Sequence, residues 1–168
     1  MAVETPGWRD FVAWYRTEHP RLTAVVMGMT GEFHLSQEVA DEAFARAWLH
    51  WRRVRSMDRP SGWLYRTAVN ELRRRRRRAA LERSLLGRER PETQVTPPTA
   101  AVELWELVAA LPERQRRCVV LRYVAGLPEA DIAGAMGVTR STVSSALTAA
   151  RRSLGSALAD DPMEVRHD

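Results

Sequence analysis

The sequence lacks lysine altogether, and all 26 of its basic residues are arginine. It has one cysteine, Cys118, so it can form neither a disulfide framework nor a zinc site made of several cysteines. No apolar run approaches the roughly 20 residues of a membrane-spanning helix, and the N-terminus lacks the basic and apolar regions of a secretory signal. We therefore expect a cytoplasmic protein, not inserted in a membrane, in which Cys118 is a buried apolar thiol.

The positive charge is concentrated in one part of the chain. Residues 71–90 contain nine arginines and three glutamates, a charge of +6, whereas the whole chain carries +5. Arginine binds phosphate through two parallel hydrogen bonds and stacks on bases, so its exclusive use suits a nucleic-acid-binding protein. A GC-rich genome would produce the same preference for arginine over lysine, and both explanations stay open.

The spacing of the apolar residues predicts an all-α fold. They recur at intervals of three and four and rarely at two, and no internal repeat is present. A proline-rich stretch at residues 87–101 predicts a semi-rigid linker between two small helical domains. The expected organisation is a first domain at residues 1–86, the linker, a second domain at residues 102–159 and an acidic tail at residues 160–168.

The first domain is predicted to contain three or four helices. Helical spacing begins at Trp8, and Ser36 is expected to cap a second helix that carries an apolar stripe to Trp51. A loop, "RVRSMDRPSG", precedes a further helix with Pro60 in its first turn, where the missing N–H of proline is not needed.

That further helix contains six consecutive arginines, residues 73–78. Its apolar stripe is formed by Leu64, Ala68 and Leu72. Its opposite side carries Arg66, Asn70, Arg73 and Arg77. Six consecutive residues surround a helix, and Arg75 and Arg76 cannot be buried unpaired on the apolar side, so we expect the helix to leave its domain by about Arg75. The tract is then either a phosphate-binding helix end or a solvated one.

The second domain has the pattern of a helix-turn-helix motif. One short helix is predicted at residues 102–110 and another from Pro112 to Gly126. A third short helix then ends at Gly137, and Thr139 caps the last helix. The expected inner residues are Ile132, Ala133, Met136 and Val138, packed by Val143, Leu147, Ala150 and Leu154. Such a motif presents its second helix to the major groove of DNA.

These segments carry a family resemblance. "QEVADEAFARAWLHWRRV" followed by "RPSGWLYRTAVNELRRRRR" resembles region 2 of the extracytoplasmic-function (ECF) group of bacterial RNA polymerase sigma factors, in the sigma-70 family. "LPERQRRCVVLRYVAGLPEADIAGAMGVTRSTVSSALTAARRSL" resembles region 4 of the same group. The tryptophan-rich "AWLHWRRV" and the arginine run are similar to an actinobacterial SigE-like branch. The resemblance covers roughly residues 8–154 and implies an alternative sigma factor, which is not an enzyme.

The resemblance also implies the partners. They are core RNA polymerase, through its β′ clamp helices and β flap, promoter DNA and, in many members, an anti-sigma factor. The helix that docks on the polymerase corresponds to "EVADEAF", which places Glu38, Asp41 and Glu42 at the contact. Asp41 replaces the glutamine that is usual there. A simpler interpretation is that these acids only complement the dipole of their helix.

The resemblance implies two DNA-binding surfaces. The residues that would bind the start-proximal promoter element are Arg66, Asn70, Arg73, Arg74 and Arg77, and Asn70 would lie in the pocket for a flipped base. We expect Trp63 and Tyr65 to pack within the domain rather than to stack on bases. For the upstream element the residues are Arg140, Ser141, Ser145, Thr148 and Arg152. Relatives usually carry cations where this chain has Ser144, Ala146 and Ala149, so we expect weaker non-specific DNA binding.

Three other functions fit parts of the sequence. A metal-dependent hydrolase would use the helically spaced His34, Glu38, Asp41 and Glu42, but no second cluster or glycine-rich phosphate loop supports it. We therefore expect no metal, no cofactor and no catalytic residue. A stand-alone helix-turn-helix regulator would leave the first domain without a task. A sigma-like adaptor that no longer binds DNA would fit the weakly basic last helix.

Overall fold

A computed structural model of the chain describes residues 7–86 and 102–160. Within these ranges the chain is all-α, with no strand, as predicted. The helices are α1 (Trp8–Thr30), α2 (Phe33–Leu49), α3 (Trp51–Val54), α4 (Pro60–Leu86), α5 (Val102–Ala110), α6 (Glu113–Val119), α7 (Glu129–Met136) and α8 (Arg140–Asp160). A π-helical segment, Val120–Val124, directly follows α6. The predicted linker at residues 87–101 and most of the predicted acidic tail, residues 161–168, lie outside the described residues.

The first block of the fold packs α1, α2 and α4 around an apolar core. Its fully buried residues include Leu22, Val25, Val26, Met29, Val39, Ala43, Leu64, Ala68 and Leu72. An aromatic cluster extends this core, because the ring of Phe11 lies 4.9 to 6.3 Å from those of Trp14, Tyr15, Phe44, Trp48 and Trp51. Tyr65 is also buried, and burial raises its pKa to about 12. The expectation that Tyr65 packs within the domain is confirmed.

The first turn of α2 differs from the prediction for Ser36. The helix begins at Phe33 with Glu32 as its N-cap residue, and Ser36 is buried inside it. The Ser36 hydroxyl donates a hydrogen bond to the carbonyl oxygen of Glu32, 2.6 Å away, instead of accepting one from a helix N–H. The prediction that Ser36 caps α2 is wrong, because only one extended residue, Glu32, separates Gly31 at the end of α1 from the start of α2 at Phe33.

The helix α4 begins at Pro60 and continues to Leu86, with Leu64, Ala68 and Leu72 buried as predicted. The side chains of Arg75 and Arg76 are each 34% exposed and form ion pairs, with Glu38 and Glu113 respectively. A carboxylate from another helix pairs with each guanidinium, so neither arginine incurs the free-energy cost of burying an unpaired charge. From Arg77 to Leu85 every side chain that the structure describes is exposed, so the helix leaves the packed part of the fold within about two residues of the predicted Arg75.

The second block contains the predicted helix-turn-helix motif. Gly137 ends α7 with a φ of 65°, a left-handed conformation that glycine adopts without strain. The hydroxyl of Thr139 accepts a hydrogen bond from the N–H of Thr142 at 3.2 Å, so Thr139 caps α8 as predicted. The expected inner residues are buried or pack against the core. Cys118 is fully buried, and burial raises the pKa of its thiol.

The two blocks pack against each other, an arrangement that no sequence pattern predicted. The α1 helix meets α5, α6 and the π-helical segment, and α4 meets α7. Gly28 allows a close apolar contact between the blocks, because a β-carbon there would lie 2.8 Å from the Trp105 ring. The Arg59–Asp131 pair, at 3.2 Å, and the Arg76–Glu113 pair add charged contacts between the blocks.

Because of this packing, we expect substitution by alanine to have opposite effects on stability at Gly28 and at Gly134. Both lie in helices, where alanine is favoured over glycine by about 1 kcal/mol. A β-carbon at residue 134 would meet no atom within 4 Å apart from the backbone of its own helix and its chain neighbours, so Gly134→Ala should raise the melting temperature. Gly28→Ala should instead force the blocks apart, since overpacking costs typically ~1–3 kcal/mol. Small-angle scattering should show a larger radius of gyration for Gly28→Ala alone, and equal radii for both variants would contradict this packing.

Candidate functional site

The predicted acidic face of α2 is exposed but is not free of intramolecular contacts. Glu38, Asp41 and Glu42 have the spacing of one helix face, and their side chains are 62%, 66% and 38% exposed. Each carboxylate has a basic partner, which is Arg75 for Glu38, His19 for Asp41 and Arg46 for Glu42. A partner that docks here would therefore compete with these internal contacts.

Asp41 also connects α2 to α1. Its carboxylate lies 2.9 Å from Nε2 of His19, and the His19 ring packs on Tyr15 at a centroid distance of 4.7 Å. Burial and the nearby charge of Asp41 raise the pKa of the Tyr15 hydroxyl. The aspartate that replaces the usual glutamine thus has a structural contact of its own.

A buried carboxylate, that of Glu71, lies at the start of the arginine tract. It accepts four hydrogen bonds from three arginines, and its side chain is 0% exposed. Its Oε1 atom accepts hydrogen bonds from Nη2 of Arg74 and Nε of Arg75, both at 2.9 Å. Its Oε2 atom accepts hydrogen bonds from Nε of Arg74 and Nη2 of Arg46, both at 3.0 Å. The hydrogen bonds from Arg74, helped by Arg75 and by the charge of Arg46, hold the pKa of Glu71 below its usual value despite burial.

This cluster joins the acidic face to the arginine tract. Arg46 contacts both Glu42 and Glu71, and Arg75 contacts both Glu38 and Glu71. The apolar pattern did not predict a role for Glu71, although the sequence contains a signal for it. Glu71 precedes Arg74 by three residues and Arg75 by four, the spacings at which helical side chains meet. We name these six residues, Glu38, Glu42, Arg46, Glu71, Arg74 and Arg75, the Glu71 network.

The residues predicted to bind the start-proximal element lie along one side of α4. Arg66, Asn70, Arg74 and Arg77 are exposed there. Arg73 is half-buried instead, because its guanidinium lies against Gly137 in the turn of the helix-turn-helix motif. A β-carbon at residue 137 would be 2.9 Å from Nη1 of Arg73. The structure therefore brings four of the five residues together on an open surface and places the fifth between the two blocks.

The residues predicted to bind the upstream element are all exposed on α8: Arg140, Ser141, Ser145, Thr148 and Arg152. Beside them runs an open groove of about 550 Å³ between the start of α6 and the start of α8. It is lined by Pro112, Arg114, Gln115, Ser141, Thr142, Ser145 and Ala146. Arg114 and Gln115 were not among the predicted residues, because the sequence pattern of α6 does not indicate which side of this helix faces α8.

The four residues of the metal-binding alternative are not assembled into a site. Asp41 pairs with His19 and Glu38 with Arg75, and in residues 7–86 and 102–160 no group of three or more His, Cys, Asp or Glu side chains is placed to hold a metal ion. None of the helices in the same ranges has both the length and the apolar character of a membrane span.

Comparison with known proteins places both blocks in one family. The family "Sigma-70 region 2" matches residues 14–82, and "Sigma-70, region 4" matches residues 101–154. The ECF RNA polymerase sigma factor SigW of Bacillus subtilis (strain 168) is 25% identical over 149 residues, which cover 79% of this chain and 80% of SigW.

Two solved structures share the fold of the chain. One is the sigma factor RpoE in complex with the anti-sigma factor NepR from Bartonella quintana, with a TM-score of 0.77, 19% identity and coverage of 92% of this chain and 99% of RpoE. The other is CnrH in complex with the cytosolic domain of CnrY, with a TM-score of 0.60, 21% identity and coverage of 92% and 90%. With both regions present in the family's order, the chain belongs to the ECF group of the sigma-70 family and is an alternative sigma factor that directs transcription initiation.

Proposed function

We propose that the chain binds core RNA polymerase through the acidic face of α2, formed by Glu38, Asp41 and Glu42. The observation that supports this most directly is that three carboxylates of one helix face stay exposed while the opposite side of α2 is buried. The β′ clamp helices are the expected contact, and the β flap is expected to contact the second block. The proposed division of labour is polymerase binding and promoter melting in residues 1–86, a linker at 87–101, upstream-element recognition in 102–159 and an acidic tail at 160–168.

The exposed side of α4 is proposed to bind the start-proximal promoter element. Arg66, Arg74 and Arg77 would contact phosphates, and Arg73 would do so once the turn at Gly137 moves away from it. Asn70 would hydrogen-bond a base that has left the stack, because the Watson–Crick edge is readable only there.

The exposed side of α8 is proposed to bind the upstream element in the major groove. Arg140, Ser141, Ser145, Thr148 and Arg152 are the residues available for this contact. Hydroxyl groups discriminate bases less strongly than bidentate arginines do, so we expect the first block to contribute much of the promoter selectivity.

Regulation by an anti-sigma factor is part of the proposal. RpoE and CnrH, which share the fold, are bound by NepR and by the cytosolic domain of CnrY, respectively. Members of the family are regulatory DNA-binding proteins rather than catalysts, and we propose that this chain likewise acts without catalysis, in the cytoplasm where the polymerase is found. The tryptophan-rich "AWLHWRRV" supports a place in an actinobacterial SigE-like branch, which an alignment of full-length relatives from many bacteria would test.

Reconstituted transcription tests the function as a whole. Core RNA polymerase from the same organism is first mixed with the purified chain, and the complex selects DNA from a randomised promoter pool. The selected DNA then serves as the template for transcription. We expect transcripts from one start site only when both proteins are present. DNA selection without the polymerase would favour a stand-alone regulator, and polymerase binding without transcripts would favour an adaptor.

Asn70→Ala should separate base reading from phosphate binding. Because an asparagine that contacts a base supports discrimination, the variant should form fewer open complexes on the selected start-proximal sequence and lose little on altered sequences. The expected loss is roughly five- to 150-fold, the range for one base contact of about 1–3 kcal/mol. Permanganate footprinting of the melted strand measures this, with Thr67→Ala on the same helix as a control. An equal loss on all sequences would contradict the base contact.

A further inference from the structure

Glu71 is a buried carboxylate to which the proposed function assigns no task. A buried carboxylate costs several kcal/mol unless it is well paired. Two oxygens that accept four hydrogen bonds from guanidinium groups meet this requirement fully, because a carboxylate has about four acceptor positions. The pairing explains how the chain tolerates Glu71, and its geometry indicates what Glu71 does.

Arg74 is held by Glu71 in a fork. Its Nε and Nη2 donate in parallel to the two oxygens of Glu71, at 3.0 and 2.9 Å, and this bidentate contact fixes the plane of the guanidinium. The Arg74 side chain is nevertheless 64% exposed. The fork uses two of the five N–H groups, so the group is held in one orientation while three N–H donors remain for another ligand.

The other two arginines immobilise Glu71 itself. Arg46 approaches from α2 and Arg75 from the next turn of α4, and each has a further carboxylate partner in the Glu71 network. The carboxylate therefore cannot rotate with Arg74. An exposed arginine normally samples many rotamers and loses that freedom when it binds, whereas Arg74 has lost it already.

We propose that Glu71 is a positioning residue for promoter binding, which holds the guanidinium of Arg74 toward one phosphate of the strand that lies along α4. This inference rests on the proposed function, in which Arg74 contacts phosphate. A fixed guanidinium favours one register of the DNA backbone over its neighbours, and register decides which base reaches Asn70. Phosphate contacts carry no sequence information themselves, but they set the position from which bases are read.

Glu71 has two effects on DNA binding, and they have opposite signs. Its negative charge weakens the general attraction of the tract for DNA, while the orientation of Arg74 strengthens binding in the correct register. Glu71→Gln should therefore raise affinity for arbitrary DNA and lower the preference for the selected promoter. Glu82→Gln is the matched control, because Glu82 is exposed on the same helix, pairs with Arg78 at 2.9 Å and carries the same charge.

The experiment uses the complex of the chain with core RNA polymerase. The probes are fork-junction DNA selected from a randomised pool by the wild-type complex and the same DNA with its start-proximal element scrambled. We expect Glu71→Gln to lower the ratio of the two affinities by roughly tenfold, the effect of losing one charge-assisted hydrogen bond, and Glu82→Gln to leave it unchanged. Equal ratios for the two variants would overturn the inference.

Arg74→Ala separates failure of the inference from failure of the proposed function. If Glu71 acts through Arg74, then Glu71→Gln should not lower the ratio further in the Arg74→Ala background. A further loss of the same size would overturn the positioning role. Wild-type affinity and salt dependence for Arg74→Ala would show that Arg74 binds no phosphate, and the inference would fall with that part of the proposed function.

If the Glu71→Gln variant shows no cooperative thermal unfolding, it is not properly folded, and the affinity ratio is measured with the Glu71→Asp variant instead. Aspartate keeps the buried charge, but its shorter side chain places both carboxylate oxygens about one C–C bond, ~1.5 Å, farther from Arg74. The bidentate hydrogen bond between the two side chains is then lost. A smaller loss of the ratio in the same direction is expected. A folded Glu71→Asp variant with the wild-type ratio would contradict the inference.

Discussion

Replacing Arg73, Arg74 and Arg77 by alanine should weaken binding to DNA of any sequence and lower the salt dependence of binding. Removal of one phosphate-binding arginine should reduce the slope of log affinity against log salt by up to about one, because fewer condensed counterions are released. The complex with core RNA polymerase and fork-junction DNA, titrated at several salt concentrations, measures the slope. A wild-type slope for the triple variant would mean that the tract is only a solvated helix end.

A second triple variant controls for the change in net charge. Arg16, Arg21 and Arg52 are exposed on α1 and α3, and their replacement by alanine removes the same three charges from other parts of the chain. We expect a much smaller change in slope from that variant. An equal change would show that net charge, rather than the exposed side of α4, governs binding.

The structure also changes the stability expected of the first triple variant. Alanine is a good helix former, so the sequence alone predicts almost no loss. The side chain of Arg74, however, supplies two of the four hydrogen bonds to buried Glu71, so their loss should lower the free energy of unfolding. Arg77→Ala alone, at an exposed position, should stay within about 0.5 kcal/mol of wild type. Urea unfolding of the single variants distinguishes the two.

Charge reversal at Glu42 is expected to have the largest effect on polymerase binding. Glu42→Arg places a cation on the acidic face of α2 and beside Arg46, so a basic docking surface would be repelled. We expect affinity for core RNA polymerase to fall by about tenfold or more, while the circular dichroism of the chain stays helical. Co-purification and fluorescence anisotropy with core enzyme provide the measurement.

Glu82→Arg is the control for this variant. Glu82 also pairs with an arginine of its own helix at i,i+4 spacing, in this case Arg78, but lies on α4 outside the acidic face. Its reversal should leave polymerase binding unchanged. Unchanged binding for Glu42→Arg as well would remove Glu42 from the proposed contact and favour the interpretation that the acids of α2 only complement its helix dipole.

Local rules were sufficient for much of the fold. The period of apolar residues predicted an all-α chain, Pro60 marked the start of α4, and Gly137 followed by Thr139 marked the turn and the cap of the helix-turn-helix motif. These features depend on residues within one or two helical turns of each other. Of the residues predicted to bind DNA on α4 and α8, the same local rules placed all but Arg73 correctly on the surface, because side chains opposite an apolar stripe point to solvent.

The sequence by itself therefore determined the class of fold, the order of its two regions and the residues available on their exposed helix faces. Only the tertiary structure decided which charges meet. Glu71 turned out to be buried beneath three arginines, Arg73 to lie against Gly137, and Arg76 to pair with Glu113. The physical reason is that an ion pair between helices depends on how their axes cross and rotate. Packing of the whole core sets that geometry, and a single helix pattern does not contain it.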